Sequence, residues 1–168
     1  MITISDYDPH LVDEIVKFRR ETYQNSGRSM AQLNDWSSDD FDRCATHVVM
    51  YNELEKIIGV VRIIAGQKWT IDDYYDFRYD KLNGVEFGRL AISQPSHNGK
   101  RVLAELIKAA CIHCEAQGRT HFYGFVIARL RKELERLRVP FEVLSPAVAP
   151  MGEDSFLIRF RVDELIRF

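Results

Sequence analysis

The sequence predicts a single α/β domain (α+β in its details) over residues 1–168, with a mixed central sheet flanked by helices. Three observations predict it. Two successive strand–helix units occupy residues 85–117 and 121–138, and such units demand a parallel pair of strands. A hairpin before them, at 46–65, adds antiparallel strands. The 168 residues suffice for one core, and no linker, repeat or low-complexity segment divides them.

Composition narrows the function classes. Lys and Arg number 23 against 25 Asp and Glu, a net charge of −2, which argues against a general nucleic-acid binder. No apolar run approaches a membrane span. The opening MITISDYDPH is acidic where a signal peptide is basic, and it lacks an apolar core. Three cysteines do not make a disulfide framework, so a reducing cytoplasm is expected. Cys111 and Cys114 stand alone as one C-x-x-C within a helical pattern and read as core thiols, not as a metal or redox site.

Residues 2–5 read as a first strand. Asp8 followed by Pro9 starts a helix, with Leu11, Val12, Ile15, Val16 and Phe18 as its apolar stripe and 25–27 as its end. Arg19 and Tyr23 share a face of it; taken alone they read as a solvated arginine and a partly buried tyrosine. Ser37 and Asp40 give a capping-box pattern for a short helix holding Asp39, Asp40 and Asp42, which otherwise reads as a solvated turn. Strands are expected at 46–51 and 57–65, with Arg62 facing solvent. The stretch 72–79, DDYYDFRY, fits a short helix or a covering loop. The helix 100–117 presents Leu103, Ile107, Ala110 and Cys114 on its face and stops at Gly118. Strand 121–127, helix 129–138 ended by Pro140, and strands 141–144 and 155–162 complete the chain.

The central strand, 85–92, is unusual. It carries Glu86, Gly88 and Arg89 among β-formers, and a strand glycine marks a bulge or a close backbone approach. A polar loop with Pro95, Ser96, Asn98 and Gly99 then opens into the 100–117 helix. Strand, polar loop and helix N-terminus in that order suit an anion, because the first-turn N–H groups point at the loop.

This layout resembles the GNAT acyltransferase fold. There the strand matching 85–92 binds a pantetheine arm, the following helix N-terminus holds its phosphate, and splayed parallel strands leave a slot for the thioester. A narrower resemblance is to the acyl-homoserine lactone synthases and N-acyl amino acid synthases. Glu86-x-x-Arg89 followed by Leu90, Ala91 and Ile92 is similar to their E-x-x-R segment. Arg19 and Tyr23 resemble their first-helix arginine and aromatic, Asp39-x-x-Asp42 their D-x-x-D pair, Arg62 their hairpin arginine, and Phe77 a downstream phenylalanine. The resemblance covers about residues 10–140. The lactone makers carry a tryptophan six residues beyond the helix aromatic, associated with their S-adenosylmethionine pocket. Here that position is Ser29, and Trp36 is displaced, which points to the amino-acid-acylating branch.

The resemblance implies an N-acyltransferase with no permanently bound cofactor and no metal. Its co-substrate is acyl-phosphopantetheine on acyl carrier protein, or acyl-CoA. Glu86 and Arg89 are the candidate catalytic pair; Arg19, Tyr23, Asp39, Asp42, Arg62 and Phe77 bind the amine substrate; Leu90, Ala91, Ile92, Asn98, Gly99, Lys100, Arg101 and Val102 bind the donor. The residue chemistry fits. A protonated amine needs a base, and Glu86 can receive the proton directly or through water. A backbone N–H near 88–91 can hold the oxyanion. Glu86 reads equally as a structural ion pair with Arg89 or Arg62. An arginine left over from the aspartates can grip a substrate carboxylate. Acetyl-CoA enzymes of this fold carry a Q/R-x-x-G-x-G/A loop, whereas here Ser96 and Arg101 occupy its ends, and a bulky Arg101 obstructs a pyrophosphate more than a single phosphate.

Residues 129–138, RLRKELERLR, set five basic residues against two glutamates around Leu130, Leu134 and Leu137. Arg129, Arg131, Lys132 and Arg136 are therefore the candidate docking face for an acidic carrier protein, with a solvated helix held by internal ion pairs as the other reading. Two other functions stay open: a CoA-dependent N-acetyltransferase, and a non-catalytic acyl- or carrier-binding module.

Overall fold

The computed structural model describes residues 1–27, 38–74, 80–93, 98–145 and 154–167. Phe77, Ser29, Trp36, Ser37, Pro95 and Ser96 lie outside the described residues.

Seven strands form one mixed sheet in the order β1-β2-β3-β4-β5-β7-β6: β1 Ile2–Ser5, β2 Thr46–Tyr51, β3 Ile57–Ile64, β4 Gly84–Ile92, β5 His121–Ile127, β6 Glu142–Val143 and β7 Ser155–Arg161. β1, β2 and β3 are antiparallel neighbours, β4 and β5 are parallel, and β7 lies antiparallel to both β5 and β6. Four helices accompany them: α1 Pro9–Asn25, α2 Gly99–Ala116, α3 Ala128–Arg136 and α4 Val162–Arg167. The α/β, GNAT-like architecture expected from the sequence is present. The chain falls into two compact units, Met1–Ile64 with Gly88–Ala110, and Ala65–Phe87 with Cys111–Phe168.

In the first unit, the Asp8 carboxylate accepts from the amides of His10 and Leu11 at 3.0 and 3.3 Å, which caps α1 as the Asp-Pro signal predicts. Gly27, at φ 85°, takes the left-handed conformation after its last turn. Ile15, Tyr23, Val49, Val60 and Ala91 form a buried cluster, with Leu11, Phe18, Tyr51 and Ile57 packed against it. Burying a side chain such as Ile15 stabilises by about 2 kcal/mol. The solvated reading of Arg19 fails: it is 0 % exposed. The solvent-facing reading of Arg62 fails too, at 1 % exposed. The capping box belongs to Asp39 and Asp42, flanking a 3-10 turn at Asp40–Arg43.

The buried row of α2 includes Val102, Leu106, Ala110 and Cys114, while Leu103 and Ile107 are half-buried. Gly59 on β3 lets the first two approach, since a Cβ there would sit 2.7 Å from Val102 and 2.9 Å from Leu106. Gly118, φ 72°, ends α2, with the Arg119 amide donating to the Cys114 carbonyl.

In the second unit, Phe122, Tyr123, Leu157 and Ile158 are fully or nearly fully buried along β5 and β7. Phe87 stacks on Phe122 with ring centroids 4.8 Å apart. The β4–β5 ladder covers only Gly84 to Glu86 against His121 to Tyr123. The end of α3 and the end of β7 differ from expectation. α3 stops at Arg136, with Arg138 left-handed at φ 57°, so the helix ends before Pro140. The chain turns after β7 into α4, whose Val162 and Leu165 are buried; the sequence reading carried the strand through 162 and gave no helix there.

Candidate active site

The charged residues singled out on four elements of the first unit converge. Arg19 Nη1, on α1, donates to Asp42 Oδ1 at 2.8 Å. Arg62 Nη1, on β3, lies 2.5 Å from Asp39 Oδ1 and 3.2 Å from Asp42 Oδ1. Arg89 Nη2, on β4, donates to Asp39 Oδ2 at 2.7 Å. The 3-10 turn delivers both aspartates because each also caps it: Asp42 Oδ2 accepts from the Asp39 amide and Asp39 Oδ1 from the Phe41 amide. Three cations therefore share two anions, and each arginine has an aspartate partner.

Burial alone would push the Asp42 carboxyl up. The His47 hydrogen bond and the charges of Arg19 and Arg62 outweigh it and hold Asp42 far below the usual carboxylate range. Asp39 is likewise held low: burial opposes, but hydrogen bonds and charge from Arg62 and Arg89 prevail. Burial lowers the Arg19 guanidinium from its ordinary value despite Asp42.

His47 belongs to this cluster and was not singled out in the sequence. Its Nε2 sits 3.2 Å from Asp42 Oδ1, and its side chain is 1 % exposed. The signal was available in principle: His47 lies on an expected strand, and the hairpin register sets it opposite Arg62.

Tyr23 is buried, and its hydroxyl donates to the Leu90 carbonyl at 3.3 Å, tying α1 to β4. The irregularity in β4 falls on Arg89, at φ 53°, one residue after the glycine that sequence suggested. A left-handed non-glycine residue costs on the order of 1–3 kcal/mol and persists only where its surroundings fix it. The Arg89–Asp39 ion pair is such a fixture.

Glu86 lies in the second unit and is 4 % exposed. Two of its hydrogen bonds come from its own unit. Glu86 Oε1 accepts a hydrogen bond from the Thr70 hydroxyl, and Oε2 accepts from the Ile71 amide at 3.2 Å. Both donors belong to a second 3-10 turn, Thr70–Asp73, whereas the sequence predicts a short helix or a covering loop only from 72 onward.

Of the donor-binding candidates, Ala91 and Val102 are buried and Leu90 and Ile92 half-buried. Val102 is spent on packing against Gly59. Asn98, Lys100 and Arg101 are exposed and Gly99 half-buried around the start of α2. On α3, Arg129 and Lys132 are exposed; Arg131 pairs with Glu135 at 2.8 Å and lies over the Phe156 ring, and Arg136 pairs with Glu133 at 2.7 Å.

Residues 18–108, more than half of the chain, match the family model described as acetyltransferase (GNAT) domain. The chain belongs to the GNAT acetyltransferase family. Solved structures resemble it over almost all of its length. TofI, in a ternary complex with an inhibitor and MTA, superposes with a TM-score of 0.79 at 13% identity, covering 98% of this chain and 96% of TofI. The AHL synthase LasI gives 0.79 at 13%, covering 96% and 89%. MesI, a CoA-dependent acyl-homoserine lactone synthase, gives 0.75 at 16%, covering 99% and 92%. At these identities the likeness is one of fold. No curated protein matches the chain in sequence. Among the described residues no group of His, Cys, Asp or Glu forms a metal-binding cluster, and no helix is long and apolar enough to cross a membrane.

Proposed function

We propose that this GNAT member is an N-acyltransferase that moves a fatty acyl group from an acyl carrier protein thioester to the amine of an amino acid. The observation that carries the reading is the convergence of Arg19, Asp39, Asp42, Arg62 and Arg89. These residues are spread over 71 positions of sequence, yet they form one ion-pair network. They are the residues that resemble the pattern of the autoinducer synthases and their amino-acid-acylating relatives.

In this reading the amine nitrogen attacks the thioester carbonyl, the C–S bond breaks and the pantetheine thiol leaves. Glu86 receives the proton lost by the amine, directly or through water. The Leu90–Ile92 stretch and the residues Asn98 to Arg101 accept the pantetheine arm and its phosphate, with the phosphate at the start of α2. Arg19, Tyr23, Asp39, Asp42 and Arg62 shape the amine site. The fixed arginines supply the positive potential that favours an acceptor bearing a free carboxylate. Ser29 in place of tryptophan favours an amino acid over S-adenosylmethionine. Arg129, Lys132 and Arg136 are the exposed part of the carrier-docking face, with Arg136 held by Glu133, and the half-buried Arg131 supports it.

A CoA donor is the second reading, favoured by the acetyltransferase family match and by the CoA dependence stated for MesI. Mass spectrometry of lipid extracts from an expressing bacterial host tests both. Long-chain N-acyl amino acids are expected. Acyl-homoserine lactones would overturn the acceptor, and only acetylated amines would overturn the carrier-borne fatty acyl donor.

A further inference from the structure

Glu86 is the only carboxylate on β4, and burial alone disfavours its charged form. Its two oxygens are met by two donors from one short turn, the Thr70 hydroxyl and the Ile71 amide. That turn is itself clamped. Asp72 Oδ2 accepts from the Trp69 amide at 2.8 Å and from Lys81 Nζ at 2.6 Å. The same ammonium lies 5.3 Å from the Trp69 ring centroid, and that ring packs on Tyr123 at 5.5 Å. Lys81 also donates to the Gln67 carbonyl at 2.7 Å. The donors to Glu86 are thus fixed before any substrate arrives, as preorganised dipoles should be.

Asp72 and Lys81 neutralise each other on the turn side. β5 places Tyr123 at the register position beside Glu86, and β7 places Arg159 beside Tyr123. Thr70 is the only one of the two donors that a side-chain substitution can remove.

We propose that Thr70 is a positioning residue: its hydroxyl holds the Glu86 carboxylate ionised and correctly turned to take the amine proton. This rests on the assignment of Glu86 as the proton acceptor. A donor to the ionised form favours ionisation, so its removal moves protonation of Glu86 to higher pH. One side-chain hydrogen bond to a charged group corresponds to a displacement of about one pH unit.

The test compares wild type, Glu86→Gln, Thr70→Val and Thr70→Ser in the full chain. Thiol release from octanoyl-loaded acyl carrier protein and from octanoyl-CoA is followed with a mixture of the twenty amino acids. Thr70→Val, which keeps the shape and loses the hydroxyl, is expected to lower kcat about tenfold. Donor KM should stay within about twofold, the acid limb of the pH profile should move up by about one unit, and Thr70→Ser should restore both. Carbon NMR of labelled glutamate carboxyls, with the Glu86 signal assigned by Glu86→Gln, should show the same upward move in Thr70→Val alone. Wild-type turnover in Glu86→Gln overturns the proton-acceptor assignment and the inference with it. An inactive Glu86→Gln beside a Thr70→Val of wild-type rate and pH profile overturns the inference alone. So do equal losses in Thr70→Val and Thr70→Ser.

Discussion

Arg19 and Asp42, separated by 23 residues in sequence, meet at 2.8 Å with side chains 0% and 2% exposed. Removing one partner of such a pair leaves a buried charge uncompensated, which typically costs about 3–5 kcal/mol. Asp42 serves Arg62 and His47 as well, so Asp42→Asn is expected to lose about that much stability at pH 7 by urea denaturation.

The same carboxylate sets an acid limit. Its folded value lies well below that of an unfolded aspartate, so its contribution is complete above about pH 4 and is lost as pH falls through the folded value. Asp39 shifts in the same direction. Wild type should therefore lose stability steeply as pH drops below about 4, and Asp42→Asn should lose it more gradually over the same window. Parallel curves for the two proteins would contradict this.

The elements carrying this network were legible in sequence and its burial was not. Asp8-Pro9, the 46–64 hairpin and the two β–α units announce themselves by caps and periodicity. Nothing local says that Arg19 is buried, because its partner lies on a turn 23 residues away. α2 offered two apolar rows, Leu103 with Ile107 and Val102 with Leu106, and only tertiary packing on Gly59 selects the second. The Thr70–Asp73 turn was hidden because its hydrogen bond to Glu86 joins residues 16 apart. α4 has six residues, too few for a period to show.

Two glycines predict opposite tolerance. A Cβ on Gly124 would lie 2.4 Å from the Phe87 carbonyl oxygen, and backbone cannot yield without disturbing β4. The atoms nearest a Cβ on Gly59 would be side-chain atoms of Val102 and Leu106, which can shift. Gly124→Ala should cost about 2–3 kcal/mol and Gly59→Ala about 1 kcal/mol in urea denaturation. The reverse order would show that the α2 packing is the stiffer of the two.

The three cysteines differ in chemistry. Burial pushes the Cys111 and Cys114 thiols up to about 12, and both are free, whereas Cys44 is free and exposed. The thiolate is the reactive form, so an aromatic disulfide reagent at pH 8 should titrate one thiol quickly in the folded chain. The other two should appear only in denaturant. Rapid reaction of all three in the native protein would mean that α2 opens on the timescale of the assay.

Carrier docking can be read from charge reversal on α3. Arg131 is a poor target because it pairs with Glu135 and packs over Phe156, so its loss would also disturb the helix. Arg129 and Lys132 are exposed and avoid that confusion. In the proposed function they attract an acidic carrier, and exposed charges act mainly on encounter. Arg129→Glu with Lys132→Glu should raise the KM for acyl carrier protein about tenfold at low salt. The gap to wild type should shrink toward about 0.5 M salt, where screening shortens the reach of exposed charge. Use of a small acyl-pantetheine donor should be unchanged. Equal losses with both donors would trace the effect to folding instead. An unchanged KM for the carrier would remove α3 from the docking face and leave its arginines as the surface of a helix held by Arg131–Glu135 and Arg136–Glu133.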